Sequence, residues 1–331
     1  MKKKLYLLVA VIAALTLVVA GCGNGSSKDS AADKKLKVVT TFYPMYEFSK
    51  QVVGNKGDVS VLIGAGVEPH DYEPSAKDVA KITEADVFVY NSQYFETWVP
   101  KVLENIDTSR TTVIDASKGI KLKDFTAAEE AAHEHDHEHG EDEHEHDHDH
   151  DNEAATDADK NPHVWLDPVL AQKQVENIQA GLVKKDKANK TTYDENAKTY
   201  VKKLDELDAR YQAAFENAKE KTFVTSHAAF GYLANRYHLN QLPIAGLSPE
   251  AEPSPKEMAK IKEFITKNDI KVIYFEALAS PKLAETLATE TGVKTVELSP
   301  LEGLTEAQQK QGLDYIKTMD NNLKALQESI K

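Results

Sequence analysis

Residues 191–217 of this sequence read TTYDENAKTYVKKLDELDARYQAAFEN, and the organisation of the chain is inferred outward from them. Its apolar side chains recur at alternating steps of four and three residues, at Tyr193, Ala197, Tyr200, Leu204, Leu207, Tyr211 and Ala214. Side chains at that spacing form one continuous stripe along an α-helix of roughly seven turns. Because α/β patterns precede and follow this helix, we place the boundary between two lobes within or around it.

On both sides of the helix, short apolar runs alternate with helical patterns, which indicates parallel α/β units. The predicted strands are residues 37–41, 59–63, 87–90 and 112–114 before the helix, and 222–225, 239–243, 271–275 and 293–298 after it. Capping patterns that begin helices follow at Ser75, Asp167, Ser254 and Thr305. The sequence therefore predicts an α/β fold of two lobes, each a parallel sheet flanked by helices. The N-terminal lobe covers 36–190, the linking helix 191–220 and the C-terminal lobe 221–331.

The first residues have the pattern of an export signal. Three lysines precede an uncharged, mostly apolar run of sixteen residues, Leu5–Ala20. A helix of that length rises only about 24 Å, which is short for a bilayer span and typical of a secretory signal peptide. The run ends in VVAGC at 18–22, which resembles a bacterial lipobox, in which the cysteine is lipidated.

We therefore expect a signal peptide over 1–21, a lipid on Cys22 and a flexible Gly/Ser/Lys/Asp-rich tether over 22–35. The protein would then be extracytoplasmic and anchored to the cell membrane through Cys22; an uncleaved helical anchor is the alternative. Cys22 is the single cysteine of the chain, which excludes a disulfide scaffold and a Cys-rich zinc finger.

The net charge of −14 comes from one segment, because residues 129–159 hold fifteen Asp/Glu and no Lys/Arg. The same segment carries eight of the twelve histidines, at His133, His135, His137, His139, His144, His146, His148 and His150. Alternating imidazoles and carboxylates without apolar residues predict a disordered, weakly metal-collecting loop over 129–159. Its two H-E-x-x-H matches lack the apolar surroundings that a metalloprotease helix requires. No basic stripe appears elsewhere, so no nucleic-acid partner is expected.

In open parallel sheets, ligands bind beyond the carboxyl ends of the strands. We therefore take the candidate site residues from the positions that follow the predicted strands. They are His70, His227, Glu276 and Glu302, together with His163, which stands just before the Asp167 helix cap. Three imidazoles and one or two carboxylates from both lobes predict a site for one divalent cation in the cleft between the lobes. These ligand types suit Zn²⁺ in tetrahedral geometry. The choice between Glu276 and Glu302 stays open from spacing alone.

Two further acids lie beside His70 in the sequence. Glu68 and Asp71 are candidates to accept a ring N–H from a ligating histidine. A histidine that binds a metal usually donates its other ring N–H to such an acceptor. The alternative is that both are solvated loop acids. His238 is the remaining histidine outside the acidic segment, and we interpret it as a surface or core residue.

Several motifs together resemble the zinc-type (ZnuA-like) metal-binding proteins of bacterial ABC transporters. They are the lipobox, the His-rich segment, and residues 68–75 (EPHDYEPS), 161–168 (NPHVWLDP), 225–232 (TSHAAFGY) and 298–302 (LSPLE). The resemblance implies one metal ion in the cleft, held by His70, His163, His227 and Glu302, with Glu276 as a neighbour in a supporting role. Manganese-type relatives place a carboxylate where His227 stands, and three imidazoles favour zinc over the harder manganese ion.

The resemblance implies an extracytoplasmic receptor that binds Zn²⁺ with high affinity and delivers it to an ABC permease with its ATPase. We expect such a protein to be a monomer and to catalyse no reaction. The alternatives are a manganese or iron receptor of the same family, an extracellular zinc hydrolase, and a zinc-storing surface adhesin. A hydrolase needs an open coordination position for water, and four protein ligands argue against one.

Overall fold

Two four-stranded parallel sheets are separated along the chain by a long helix, in a computed structural model that describes residues 35–125 and 160–331. The predicted signal peptide, Cys22, the tether up to residue 34 and the His-rich segment 129–159 lie outside the described residues. Within the part of the chain that is described, no helix has the length and apolarity that a bilayer crossing requires.

The first sheet precedes the long helix. Its strands are β1 (Leu36–Thr40), β2 (Gly57–Val61), β3 (Val87–Tyr90) and β4 (Thr112–Asp115), in the order β2-β1-β3-β4. The helices between them are α1 (Tyr43–Val53), α2 (Ala76–Glu84) and α3 (Val99–Leu103). Strand β2 begins and ends two residues earlier than predicted, because Gly57 pairs with Leu36 at the start of β1. The predicted cap at Ser75 is present as a capping box with Asp78.

Two helices connect the sheets. A short 3₁₀ turn (Val164–Leu166) leads into α4 (Pro168–Lys185), which Asp167 caps by accepting the backbone N–H groups of Val169 and Leu170. After a second 3₁₀ turn (Lys187–Asn189), α5 (Lys190–Phe215) runs for 26 residues. The predicted apolar stripe is buried along α5, except that it ends at Phe215 and leaves Ala214 only partly buried.

The second sheet repeats the strand order of the first. Its strands are β5 (Thr222–Thr225), β6 (Asn240–Pro243), β7 (Val272–Phe275) and β8 (Lys294–Glu297), in the order β6-β5-β7-β8. The helices are α6 (Gly231–Arg236), α7 (Pro255–Lys267), α8 (Lys282–Thr291), α9 (Glu306–Lys310) and α10 (Tyr315–Leu326). The predicted fold class, two parallel sheets flanked by helices with one long helix between them, is confirmed.

One apolar cluster runs through both halves of this fold. Helix α5 packs against α1 and α4 and also against α10, and its buried stripe joins side chains from both sheets. Two smaller clusters lie between the first sheet and α2–α3, and between the second sheet and α7–α8. Because the largest core is shared, the two sheets are held against each other by apolar packing. The predicted lobe boundaries at 190 and 220 stay predictions.

Candidate metal centre

Four side chains from four separate segments meet around one carboxylate oxygen. His70 comes from the loop between β2 and α2, His163 from the residue before the first 3₁₀ turn, His227 from the end of β5 and Glu302 from the loop after β8. Glu302 Oε1 lies 3.2 Å from Nε2 of each of the three histidines. The four potential ligand atoms all lie within 4.8 Å of one another.

Four of the six separations between these atoms are close to those around a tetrahedral zinc ion. Zn–N and Zn–O bonds of about 2.0–2.1 Å place tetrahedral ligand atoms about 3.3–3.4 Å apart. The three Nε2–Oε1 distances are 3.2 Å, and Nε2 of His163 lies 3.4 Å from Nε2 of His227. His163 and His227 are fully buried, Glu302 is 3% exposed and His70 is 11% exposed. Donor types, spacing and burial therefore suit a single late divalent metal.

The His227 ring is held from behind by a second buried acid. Its Nδ1 lies 2.7 Å from Glu276 Oε1, so this nitrogen donates and Nε2 faces the other ligands. The backbone carbonyl of His227 accepts hydrogen bonds from Thr225 Oγ1 and Gln241 Nε2, which fix the chain beyond β5. Of the two acids that the sequence left open, Glu302 thus joins the group of four and Glu276 orients one of its members.

The His163 ring is held by an amide that sequence reasoning missed. Its Nδ1 lies 2.9 Å from Asn161 Oδ1, and the same oxygen accepts the backbone N–H of His163 at 3.0 Å. Beyond His163, Trp165 Nε1 donates to the carbonyl of Pro300, close to Glu302. The sequence signals for Asn161 were its position two residues before a candidate ligand and its place at the start of the 161–168 motif.

The loop that carries His70 differs from the predicted arrangement. Glu68 Oε2 accepts the backbone N–H of His70 at 3.0 Å rather than a ring N–H. Asp71 is exposed, which agrees with the alternative that it is a solvated loop acid. The backbone N–H of Gly66 donates to the carbonyl of Leu304, so the loops that carry His70 and Glu302 are joined directly.

A further buried acid, Glu96, follows Phe95, whose ring packs against His70. Glu96 accepts hydrogen bonds from Thr41 Oγ1 and from the backbone N–H groups of Asn91 and Ser92. Burial raises its pKa to about 7 in spite of these donors. The neighbouring Phe95 places its ring centroid 5.0 Å from that of His70. Glu96 was not predicted, although it follows β3 in the chain and the other candidate residues were taken from positions that follow strands.

Burial and mutual charge set the protonation of the four residues. Burial lowers the pKa of His163 to about 3, against the attraction of Glu302. Burial also opposes a charge on His227, but Glu276 and Glu302 outweigh it and raise the pKa to about 10. Burial likewise opposes a charge on His70, but the attraction of the Glu302 carboxylate outweighs it and raises the pKa of His70. The pKa of Glu302 is well below its ordinary value, because His70 and His227 outweigh its burial.

Within residues 35–125 and 160–331, no other group of three or more His, Cys, Asp or Glu side chains converges in this way. His238 is exposed at the end of α6, which fits its interpretation as a surface residue. The eight histidines of the acidic segment and Cys22 lie outside the described residues, so their predicted roles stay predictions.

Comparison with known proteins gives consistent matches over this region. Residues 38–329 match the family described as ZnuA, zinc-uptake complex component A, periplasmic. The chain is 52% identical to the high-affinity zinc uptake system protein ZnuA of Bacillus subtilis, over 97% of this chain and 96% of that protein. It is 49% identical to the zinc-binding lipoprotein AdcA of Streptococcus pneumoniae, but spans only 61% of that protein.

A solved structure with the same fold is the Zn(II)-bound ZnuA-like domain of Streptococcus pneumoniae AdcA. It matches with a TM-score of 0.73 and 46% sequence identity, over 89% of this chain and 98% of that domain. Since the sequence identity is high and both chains are almost fully covered, this likeness extends beyond the general architecture.

Proposed function

Because the chain belongs to the ZnuA family of zinc-uptake complex components, we propose that it is the extracytoplasmic receptor of a zinc uptake system. It binds one Zn²⁺ through His70, His163, His227 and Glu302 and delivers the ion to an ABC permease driven by its ATPase. The observation that carries the proposal is the equal 3.2 Å separation of three imidazole Nε2 atoms from Glu302 Oε1. A zinc ion seated among these atoms would have four protein ligands.

Zinc is favoured over manganese by the chemistry of the ligands. Three imidazoles and one carboxylate suit zinc, whereas manganese prefers more oxygen ligands. The burial of the site also favours a receptor over a hydrolase. Four protein ligands leave no coordination position for the water that hydrolysis needs, so the proposed receptor catalyses no reaction.

The proposed location depends on the first residues of the chain. The basic start, the apolar run and the VVAGC sequence at 18–22 support export and lipid attachment at Cys22. The relative AdcA is itself named a lipoprotein. We therefore propose that the receptor is held at the outer face of the cytoplasmic membrane, next to the permease.

Metal competition tests the proposed function. We expect one tightly bound zinc ion per chain that manganese displaces only in large excess, and an intense visible absorption from tetrahedral Co²⁺ when cobalt replaces zinc. Tighter binding of manganese or iron than of zinc would show that the receptor carries one of those ions instead.

In cells, loss of the gene should impair growth under zinc chelation, and the wild-type gene should restore it. Normal growth of the deletion strain would contradict a role in uptake.

A further inference from the structure

Asn161 touches the segments of two proposed ligands with one side chain. Its Oδ1 accepts the backbone N–H of His163 at 3.0 Å and lies 2.9 Å from the ring Nδ1. Its Nδ2 donates to the carbonyl of Ala228, the residue after His227, at 3.4 Å. Asn161 is 2% exposed. It therefore joins a segment that precedes α5 in the chain to one that follows it.

The backbone of Asn161 is fixed as well. The hydroxyl of Tyr232, on α6, donates to the carbonyl of Asn161 at 2.9 Å and accepts the backbone N–H of Lys123 at 2.9 Å. The backbone N–H of Asn161 donates to the carbonyl of Lys123 at 2.9 Å. Because its backbone and its side chain are both bonded, Asn161 has little freedom to turn.

These contacts determine which way the amide faces. The carbonyl of Ala228 can only accept, so the nitrogen of the Asn161 amide must face it. The amide oxygen must then face His163, where it can only accept. Against this oxygen the His163 ring can only donate, which favours the proton on Nδ1 over the competing contact of Nε2 with Glu302, and leaves the lone pair of Nε2 to a metal ion.

We propose that Asn161 is a positioning residue for metal binding, which holds His163 in the Nε2-binding tautomer and sets its spacing from His227. Tyr232 supports it by fixing its backbone carbonyl. The inference rests on the proposed zinc-binding function for its affinity readout. It goes beyond the set of four ligands, because it requires that His163 be oriented before the ion binds.

A matched pair of variants separates this role from simple packing. Asn161→Leu removes both side-chain bonds, whereas Asn161→Asp keeps an acceptor for His163 but loses the donor to Ala228. We expect Asn161→Leu to weaken zinc binding about 10–100-fold and Asn161→Asp to weaken it less, since a carboxylate still orients the ligating histidine although the bond to Ala228 is lost. The visible spectrum of the Co²⁺-loaded Leu variant should lose intensity as the tetrahedral geometry is disturbed.

The tautomer can be measured directly without metal. Long-range ¹H–¹⁵N NMR spectra of the metal-free protein distinguish the two nitrogens of each histidine ring. We expect the Nδ1–H form of His163 in the wild type and in Asn161→Asp, and a mixture of tautomers in Asn161→Leu. Asn177→Leu is the control, because the side chain of Asn177 likewise bonds backbone groups, the carbonyls of Ala116 and Lys118, but outside the ligand segments.

The possible results decide the inference separately from the function. Wild-type affinity and tautomer in Asn161→Leu would overturn it, and so would equal losses in the Leu and Asp variants with an unchanged tautomer. If Asn161→Leu fails to fold, Tyr232→Phe against the control Tyr237→Phe takes its place, with a loss of affinity expected only in the former. Failure of the wild type to bind zinc would refute the proposed function, while the tautomer would still test the role of Asn161.

Discussion

His227 is held through both nitrogens of its ring. Its Nε2 faces Glu302 and His163, its Nδ1 is bonded to Glu276, and the ring is fully buried. We expect His227→Ala to weaken zinc binding by more than about 100-fold, because it removes a ligand and leaves Glu276 buried without its partner. Competition titration against a chelator of known affinity measures the change.

His238→Asn is the matched control for that variant. His238 is exposed and has a positive φ of 56°, a conformation that asparagine tolerates. The control should bind zinc as the wild type does. Unchanged affinity in His227→Ala would remove His227 from the ligand set.

The protonation of His227 predicts how zinc binding depends on pH. With a pKa of about 10, the ring is charged at neutral pH in the metal-free protein, and zinc must displace its proton. Lower pH therefore opposes binding, and the apparent affinity should fall at least about tenfold per pH unit below neutrality. Calorimetry in buffers of different ionisation enthalpy counts the released protons. No proton release near neutral pH would contradict the assignment.

Glu276 is expected to control the proton that zinc displaces. Glu276→Gln retains an oxygen that can accept from Nδ1 but removes the charge that raises the pKa of His227. We therefore expect this variant to release fewer protons on zinc binding and to show a shallower dependence of affinity on pH. The same calorimetric titration makes the measurement. An unchanged pH dependence would show that Glu276 does not set the charge state of His227.

Among the elements, α5 packs against helices on the sides of both sheets. Leu204 lies near the middle of its buried stripe and is fully buried. Leu204→Ala should lower the free energy of unfolding by about 2–5 kcal/mol, because it removes apolar contacts and leaves a cavity. Urea unfolding measures this loss. The exposed Lys202→Ala on the same helix should have little effect, and a comparable loss there would show that burial in the shared core does not explain the result.

The elements that the sequence predicted well are those whose signal lies in their own residues. The stripe of α5 and the capping box at Ser75 depend on local spacing, and both are present. The choice between Glu276 and Glu302 was different, because both follow strands of the same sheet. It depends on the path of each loop, including a positive φ of 57° at Leu301, which no local pattern indicates. Asn161 was missed because a loop amide can bond many partners.

At the scale of the whole molecule, the described residues on the two sides of the His-rich segment lie next to each other. Asp124 and Lys160 form an antiparallel bridge and an ion pair, and the backbone N–H of Asn161 donates to the carbonyl of Lys123. Deleting residues 129–159 would leave residues 125–128 to connect the bridge. A connection of four residues is an ordinary hairpin length, so the deletion should not strain the segment that positions His163.

We therefore expect the deletion of 129–159 to retain the tight zinc site and to lose only weakly held ions. Alternating imidazoles and carboxylates offer many interchangeable ligands, whereas the four buried side chains offer one set of fixed spacing. Equilibrium dialysis at increasing zinc concentration should give one ion per chain for the deletion variant and additional weak binding for the full chain. Full-length His227→Ala should show the reverse, weak binding without the tight site. If the deletion abolished tight binding while His227→Ala kept it, the acidic segment would be the receptor site, and the buried cluster would serve only to connect the two sheets.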